Sequence, residues 1–146
     1  MKSKRMESIL VNLDISAAPD QVWQALIDPD LVKQYFFGTI LEGDWLEGGT
    51  IYFRGKWEGQ AYEDKGIIQI FNPPHRLDYI YWSSWSGTED KLENYLPVSY
   101  RLDRTAEGTR LTVEQGGFTD PDRKQHSIDN WNMILKGMKE LVESRS

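Results

Sequence analysis

Four tyrosines carry most of the chemistry this chain could perform. Tyr62, Tyr79, Tyr81 and Tyr100 sit in segments with strand-like alternation. A phenol presents a large apolar ring and one hydroxyl that both donates and accepts a hydrogen bond. Several phenols on one face are costly to bury unless their hydroxyls are paired or solvated, which points to a partly polar cavity. The plainer reading is a filled core whose hydroxyls reach the rim, and the sequence leaves both open. Gln115 shares parity with Leu111 and Val113 yet is polar. His126 and Asn130 are four apart and fall on one helical face. With Gln115 they could make a polar patch at a cavity mouth, although a solvated first helical turn accounts for His126 equally simply.

Other reactive chemistry finds little support. The chain has no cysteine, so disulfides, thiolate metal sites and cysteine nucleophiles are excluded. Its two histidines, His75 and His126, lack metal-ligand spacing, and His75 follows Pro73-Pro74 in a turn. Ser83, Ser84 and Ser86 lack a glycine-flanked elbow. Gly48-Gly49 and Gly116-Gly117 lack the remainder of a phosphate loop. Glu42, Asp44 and Glu47 surround Trp45, and Glu58 and Glu63 read as solvated strand-edge carboxylates. No catalytic residue, metal or cofactor is expected. A net charge of −6, without a basic run, argues against nucleic acid. No apolar stretch approaches the 18 residues of a membrane span. Lys2, Lys4 and Arg5 are not followed by an apolar region of signal-peptide type. Together with the missing cysteines this predicts a cytoplasmic protein.

The elements that must position these residues are legible in order. Ile9, Val11, Leu13 and Ile15 alternate in a first strand. Two short helices follow, Pro19 to about Ile27 and Pro29 to Phe37, the second ended by Gly38. Six strands come next: Thr39 to Leu46, Thr50 to Arg54, Gln60 to Phe71, Arg76 to Trp82, Glu93 to Asp103 and Thr109 to Phe118. Gly55 to Gly59 is read as a hairpin connection, and Ser83 to Leu92 as a polar loop holding Trp85. The last stretch organises the rest. Thr119 or Asp120 caps a helix with Pro121 at its first position, and Ile128, Trp131, Ile134, Leu135, Met138, Leu141 and Val142 recur at helical spacing. A helix of roughly 22 residues is about 33 Å long and needs an apolar partner, which a curled antiparallel sheet supplies. With 146 residues and no linker or repeat, one domain is expected.

This order resembles the START-like, or SRPBCC, superfamily with its helix-grip fold. Within it the chain is similar to the branch named for the C-terminal domain of the activator of the ninety-kilodalton heat-shock protein ATPase. The segments carrying the resemblance run from Ile15-Ser16-Ala17-Ala18-Pro19-Asp20-Gln21-Val22-Trp23 through Asp28-Pro29-Asp30-Leu31 and Gly48-Gly49. They continue with Gly66-Ile67-Ile68-Gln69-Ile70, Pro73-Pro74-His75-Arg76-Leu77 and Gly108-Thr109-Arg110-Leu111-Thr112-Val113, and end on Trp131 and Leu135. The resemblance implies an α+β helix-grip fold: a curved antiparallel sheet wrapped around a long C-terminal helix, with two short helices after the first strand. It also implies a cavity between sheet and helix that takes apolar molecules. On that fold the expected ligand-binding residues are Tyr35, Phe36, Phe53, Tyr62, Ile70, Tyr79, Tyr81, Tyr100, Gln115, Asn130, Trp131, Ile134 and Met138.

Three functions follow. The first is a binding protein for a small apolar or aromatic molecule, oriented by the tyrosines and Gln115. The second is a polyketide cyclase or hydrolase type of enzyme using the same cavity. It ranks lower because no paired acid and base stands out. The third is a chaperone-interacting module presenting an aromatic patch around Trp82 and Trp85. The branch is named for a two-domain co-chaperone whose N-terminal domain is not expected in this chain, so this reading comes last. A homodimer remains open.

Overall fold

The computed structural model describes residues 7–145, so the basic residues Lys2, Lys4 and Arg5 lie outside the described part. Seven strands and three α-helices follow in the order β1 (Glu7–Ile15), α1 (Pro19–Ile27), α2 (Pro29–Tyr35), β2 (Ile40–Gly43), β3 (Thr50–Trp57), β4 (Gln60–Asn72), β5 (Arg76–Trp82), β6 (Leu96–Arg104), β7 (Thr109–Phe118) and α3 (Pro121–Arg145). A short 3₁₀ turn, Leu92–Asn94, precedes β6. The strands form one antiparallel sheet in the order β1-β7-β6-β5-β4-β3-β2. β2 to β7 are a meander, and β1 returns beside β7, so the two helices of the α1–α2 pair carry the chain from one sheet edge to the other. This is the curved α+β helix-grip architecture expected from the sequence.

Local chemistry sets the helix ends. At α1 the Gln21 side chain reaches back to accept from the backbone N–H of Ala18 at 3.2 Å. The Asp28 carboxylate accepts from the Asp30 N–H at 2.9 Å and starts α2. α2 stops at Tyr35, because Phe37 and Gly38 turn to positive φ (54° and 72°). At α3 the Asp120 side chain accepts from the Asp122 N–H at 2.9 Å, which settles the cap on Asp120.

One face of the sheet is buried. Ile9, Val11 and Ile15 of β1, Ile51 of β3, Ile68 of β4, Leu77 and Tyr79 of β5, Val98, Tyr100 and Leu102 of β6, and Leu111 and Val113 of β7 make a single core with α1 and α3. From α1 come Val22, Trp23, Ala25 and Leu26, and from α3 Trp131, Leu135, Met138 and Val142. The buried positions of α3 are Trp131, Ile134, Leu135, Met138 and Val142, so residues 121–130 place no side chain fully in the core. The C-terminal part of α3 seals one end of the sheet, while its first turns leave space over the other.

Two strand readings change. β3 runs through Gly55 to Trp57, and the hairpin turn is only Glu58-Gly59, both at positive φ (50° and 82°), as a two-residue hairpin requires. Gly55 is a strand residue opposite Tyr62, and a Cβ there would lie 2.5 Å from the Tyr62 hydroxyl oxygen. The glycine makes room for a ring; it does not turn the chain. In β4 the pairing with β5 shifts between Ile68 and Ile70. This bulge reverses the parity beyond Ile68. Phe71 then pairs with the inward Leu77, and Ile70 pairs with Asp78. Ile70 is thereby removed from the concave face, contrary to the alternation of the sequence.

Candidate functional site

Between the sheet and the first turns of α3 lies an open cavity of about 510 Å³. Its floor follows from strand pairing. Directly opposed residues share a face, so Phe53 lies beside Asp64, Gly66 beside Tyr81, and Val98 beside Gln115. From α3, Ser127, Asn130, Trp131 and Ile134 form the opposite wall. Phe36 and Phe37, at the end of α2, close one side. Trp57, Trp85, Met133 and His126 stand at the mouth, all exposed.

Phe36, Phe37, Phe53, Trp57 and Tyr81 form a connected band of rings, with Tyr62 and Trp85 a separate pair beside it. Phe36 sits 6.3 Å from Phe53, Phe53 lies 5.8 Å from Tyr81 with edge-to-face geometry, Phe37 meets Trp57 at 5.4 Å and Tyr62 meets Trp85 at 5.3 Å. Such tilted contacts fix each ring against its neighbour, so the band is a shaped wall.

Of the residues singled out by sequence, the structure brings Phe36, Phe53, Tyr62, Tyr79, Tyr81, Gln115, Asn130, Trp131 and Ile134 to this cavity. Tyr35, Tyr100 and Met138 are elsewhere. They surround a separate void of about 20 Å³ deeper in the core, too small for a ligand. Tyr100 faces inward as expected, but Ile134, Leu135 and Met138 of α3 close over it and over Tyr35. Tyr35 spends its hydroxyl on the Ala25 carbonyl at 2.5 Å. Ile70 is on the other side of the bulge. Tyr35, Ile70, Tyr100 and Met138 are therefore not cavity residues, contrary to the sequence expectation.

Gln115, Asp64 and the inward tyrosines each have a hydrogen-bond partner. The Gln115 side-chain oxygen accepts from the Trp131 indole N–H and from the Ser127 hydroxyl, both at 2.9 Å. This pins the start of α3 to the end of β7. The Tyr79 and Tyr100 hydroxyls bond each other at 3.1 Å, and Tyr62 bonds Thr39. Tyr81 donates to the Asp64 carboxylate. Asp64 also accepts from the Ser84 N–H at 3.0 Å and its hydroxyl at 3.3 Å. Burial pushes the Tyr79 phenol well above its usual pKa, and the neighbouring Tyr100 adds to this. Burial and then the negative Asp64 do the same for Tyr81. Burial raises Tyr100 to about 12. These phenols are therefore neutral hydrogen-bonding groups at ordinary pH, unsuited to act as bases or nucleophiles.

The loop between β5 and β6 is tied down on both sides. Ser84 bonds across β4, Trp82 donates its indole N–H to the Thr88 carbonyl at 3.3 Å, and Asp90 binds both Lys65 and Tyr95 at 2.5 Å. Of the two tryptophans proposed as a surface patch, Trp85 is exposed and Trp82 is half-buried.

Sequence reasoning passed over Asp64. The signal was present, since Asp64 falls between Tyr62 and Gly66 in the same inward parity. A charged residue in an otherwise inward-facing run marks either an edge or a site, and here it lines the cavity. Phe37, Trp57, Trp85, Ser127 and Met133 also line the cavity without having been singled out for it; Phe37 and Trp57 lie at element ends and Trp85 in a loop, where periodicity carries no information, and Ser127 and Met133 flank the apolar stripe of α3.

The fold and cavity define a helix-grip protein with an open, ring-lined space under its long helix. The chain belongs to the family described as Activator of Hsp90 ATPase homolog 1-like protein, which it matches over residues 16–143. The solution structure of ChR145 from Cytophaga hutchinsonii is similar, with a TM-score of 0.81 and 37% identity over 99% of this chain and 98% of that one. CalU16 from Micromonospora echinospora aligns with a TM-score of 0.71 and 25% identity over 92% of this chain and 75% of that one. The Aha1 dimer from Colwellia psychrerythraea shares the fold with a TM-score of 0.75 and 17% identity, over 94% of this chain and 96% of that one. No match was found among curated proteins. Among the described residues no helix is long and apolar enough to cross a membrane.

Proposed function

We propose that this protein binds a small, ring-bearing apolar molecule in the cavity between the sheet and the start of α3. The observation that carries this reading is the cavity itself. At about 510 Å³ it falls within the roughly 300–1,000 Å³ range of small-molecule sites. Its wall is aromatic, and its polar groups are few, several of them fixed by one another: Asp64 with Tyr81, Gln115 with Trp131 and Ser127. Burying roughly 200 Å² of ligand apolar surface at about 25 cal/mol per Å² contributes about 5 kcal/mol before association costs, enough for weak to moderate affinity. Ile134 and Trp131 supply the helix side of the contact, and Phe53 and Tyr79 the sheet side.

Native mass spectrometry of freshly purified protein, followed by denaturing extraction, tests this. The expected result is a low-mass adduct that leaves on denaturation and contains an aromatic or alicyclic body. A protein free of adducts whose melting temperature is unmoved by a panel of aromatic metabolites would overturn the reading.

A second reading, a protein-interaction surface, is favoured by one observation. Phe37, Trp57, Trp85 and Met133 are all exposed and all border the cavity mouth. The Aha1 protein of Colwellia psychrerythraea is described as a dimer. A self-associating chain would bury these side chains, and sedentary monomer behaviour across a wide concentration range in analytical ultracentrifugation would remove this second reading.

A further inference from the structure

We propose that the cavity selects organic cations, with Asp64 as the anionic anchor and the surrounding rings as a cation-accepting wall. This deepens the function proposed above and rests on it. The argument begins with charge. Among the residues lining the cavity, Asp64 is the one carboxylate, and no lysine or arginine is present. His126, the one basic side chain there, is exposed at the mouth. The described cations near Asp64 are already committed: Lys65 pairs with Asp90, and Arg54 with Glu42 and Glu63. Among the described residues no ion pair reaches Asp64.

The acceptor geometry leaves room for one more donor. A carboxylate offers about four lone-pair sites. Tyr81 takes one on Oδ2, and the Ser84 N–H and hydroxyl take two on Oδ1. These three donors orient the group without supplying a positive charge. An ammonium N–H would complete the set through a charge-assisted bond. The neighbouring surfaces favour the same charge. Phe53 lies directly opposite Asp64 across the strands, and Tyr62, Tyr81, Trp57 and Trp85 line the same space. Ring faces are electron-rich and attract a cation within about 6 Å of the centroid. An anionic ligand meets the opposite situation, with a carboxylate and ring faces and no basic side chain in the interior. The ligand class is therefore an apolar, ring-bearing body carrying a protonated amine.

Three molecules of one skeleton test this by isothermal titration at pH 7: tryptamine (cation), tryptophol (neutral) and indole-acetate (anion). A primary alkylamine is protonated at this pH, as a lysine side chain is. The expected order is tryptamine tightest by about tenfold or more over tryptophol, the factor of one bond to a charged group, and indole-acetate weakest. Asp64→Asn is expected to bring tryptamine to within about twofold of tryptophol, both measured on the same variant. Tryptophol or indole-acetate binding wild-type protein as tightly as tryptamine overturns cation selection and leaves the binding cavity standing. Retention of the tryptamine preference by Asp64→Asn overturns the role of Asp64. Failure of all three to bind overturns both. The wild-type ranking needs no variant, so the proposal can be refuted even if Asp64→Asn does not fold.

Discussion

Gln115→Leu should uncouple the start of α3 from the sheet. The Gln115 side-chain oxygen receives two hydrogen bonds at 2.9 Å, from the Trp131 indole and the Ser127 hydroxyl. Trp131 is 8% exposed, so its N–H belongs to a largely buried side chain. Leaving one such donor unpaired costs about 1–3 kcal/mol, and Ser127, half-buried, adds less. A loss of about 2 kcal/mol lowers the melting temperature of a domain this size by roughly 6 °C. Part of the cost comes from reshaping the site, so a double-mutant cycle is the sharper assay. Trp131→Phe removes the donor and retains a ring that can still pack on Tyr100, which the indole meets edge-on at 5.9 Å. Urea unfolding of wild type, Gln115→Leu, Trp131→Phe and the double variant gives the coupling directly. The expected coupling is about 1 kcal/mol or more. Additivity within about 0.3 kcal/mol would refute the claim that this bond pins the helix.

Filling the space should be nearly free where the cavity is open and costly where the core is closed. Asn130→Phe, on the half-buried helix wall of the cavity, is expected to cost less than about 1 kcal/mol, whereas Val113→Phe, one of the fully buried residues, costs about 1–3 kcal/mol or more by chemical denaturation. Acid stability should depend on Glu143. Lys139, bonded to its carboxylate at 2.7 Å, and the Ser16 N–H, at 2.8 Å, hold its pKa below the ordinary glutamate value. A lowered folded-state pKa stabilises above the unfolded value and is lost as pH falls through the folded one. The stability gap between wild type and Glu143→Gln should therefore be present at pH 6 and close as pH drops below about 4. The buried phenols have the opposite sign. Their folded pKa values are raised, so their contribution is present below about pH 10 and declines above it. In the folded protein at pH 11, Tyr79→Phe and Tyr81→Phe should show the same phenolate absorbance rise as wild type, since neither phenol ionises before unfolding. A smaller rise in either variant would show that phenol to be solvated.

What the sequence disclosed and what it hid have separate physical origins. Strand parity depends only on alternation, so the inward faces of β5, β6 and β7 were legible, from Leu77 and Tyr79 to Leu111, Val113 and Gln115. Helical spacing likewise revealed the buried side of α3. Parity fails where a residue is inserted without any compositional mark. The bulge after Ile68 has none, and Ile70 was misplaced. Gly55 was misread because glycine in a string marks either a turn or a ring's resting place, and only the Tyr62 ring across the hairpin decides between them. Tyr35, Tyr100 and Met138 lie on the expected side, but a string does not show how far along the sheet a helix lies close. That depth separates a closed core from an open cavity. Asp64 was legible from parity alone, and an inward charge should have counted as a signal.

The most direct test of the central claim is a proton–nitrogen NMR titration with tryptophol, read at the Trp131 indole N–H. That proton is bonded to Gln115, and both residues line the cavity, so an occupant is expected to disturb it. A saturable shift of this resonance, accompanied by the amides of Phe53, Tyr81 and Ser127 and abolished in Asn130→Phe, is the predicted result. An indole signal unmoved at saturating tryptophol, or shifts scattered over the outer face of the sheet, would contradict a ligand site between the sheet and α3.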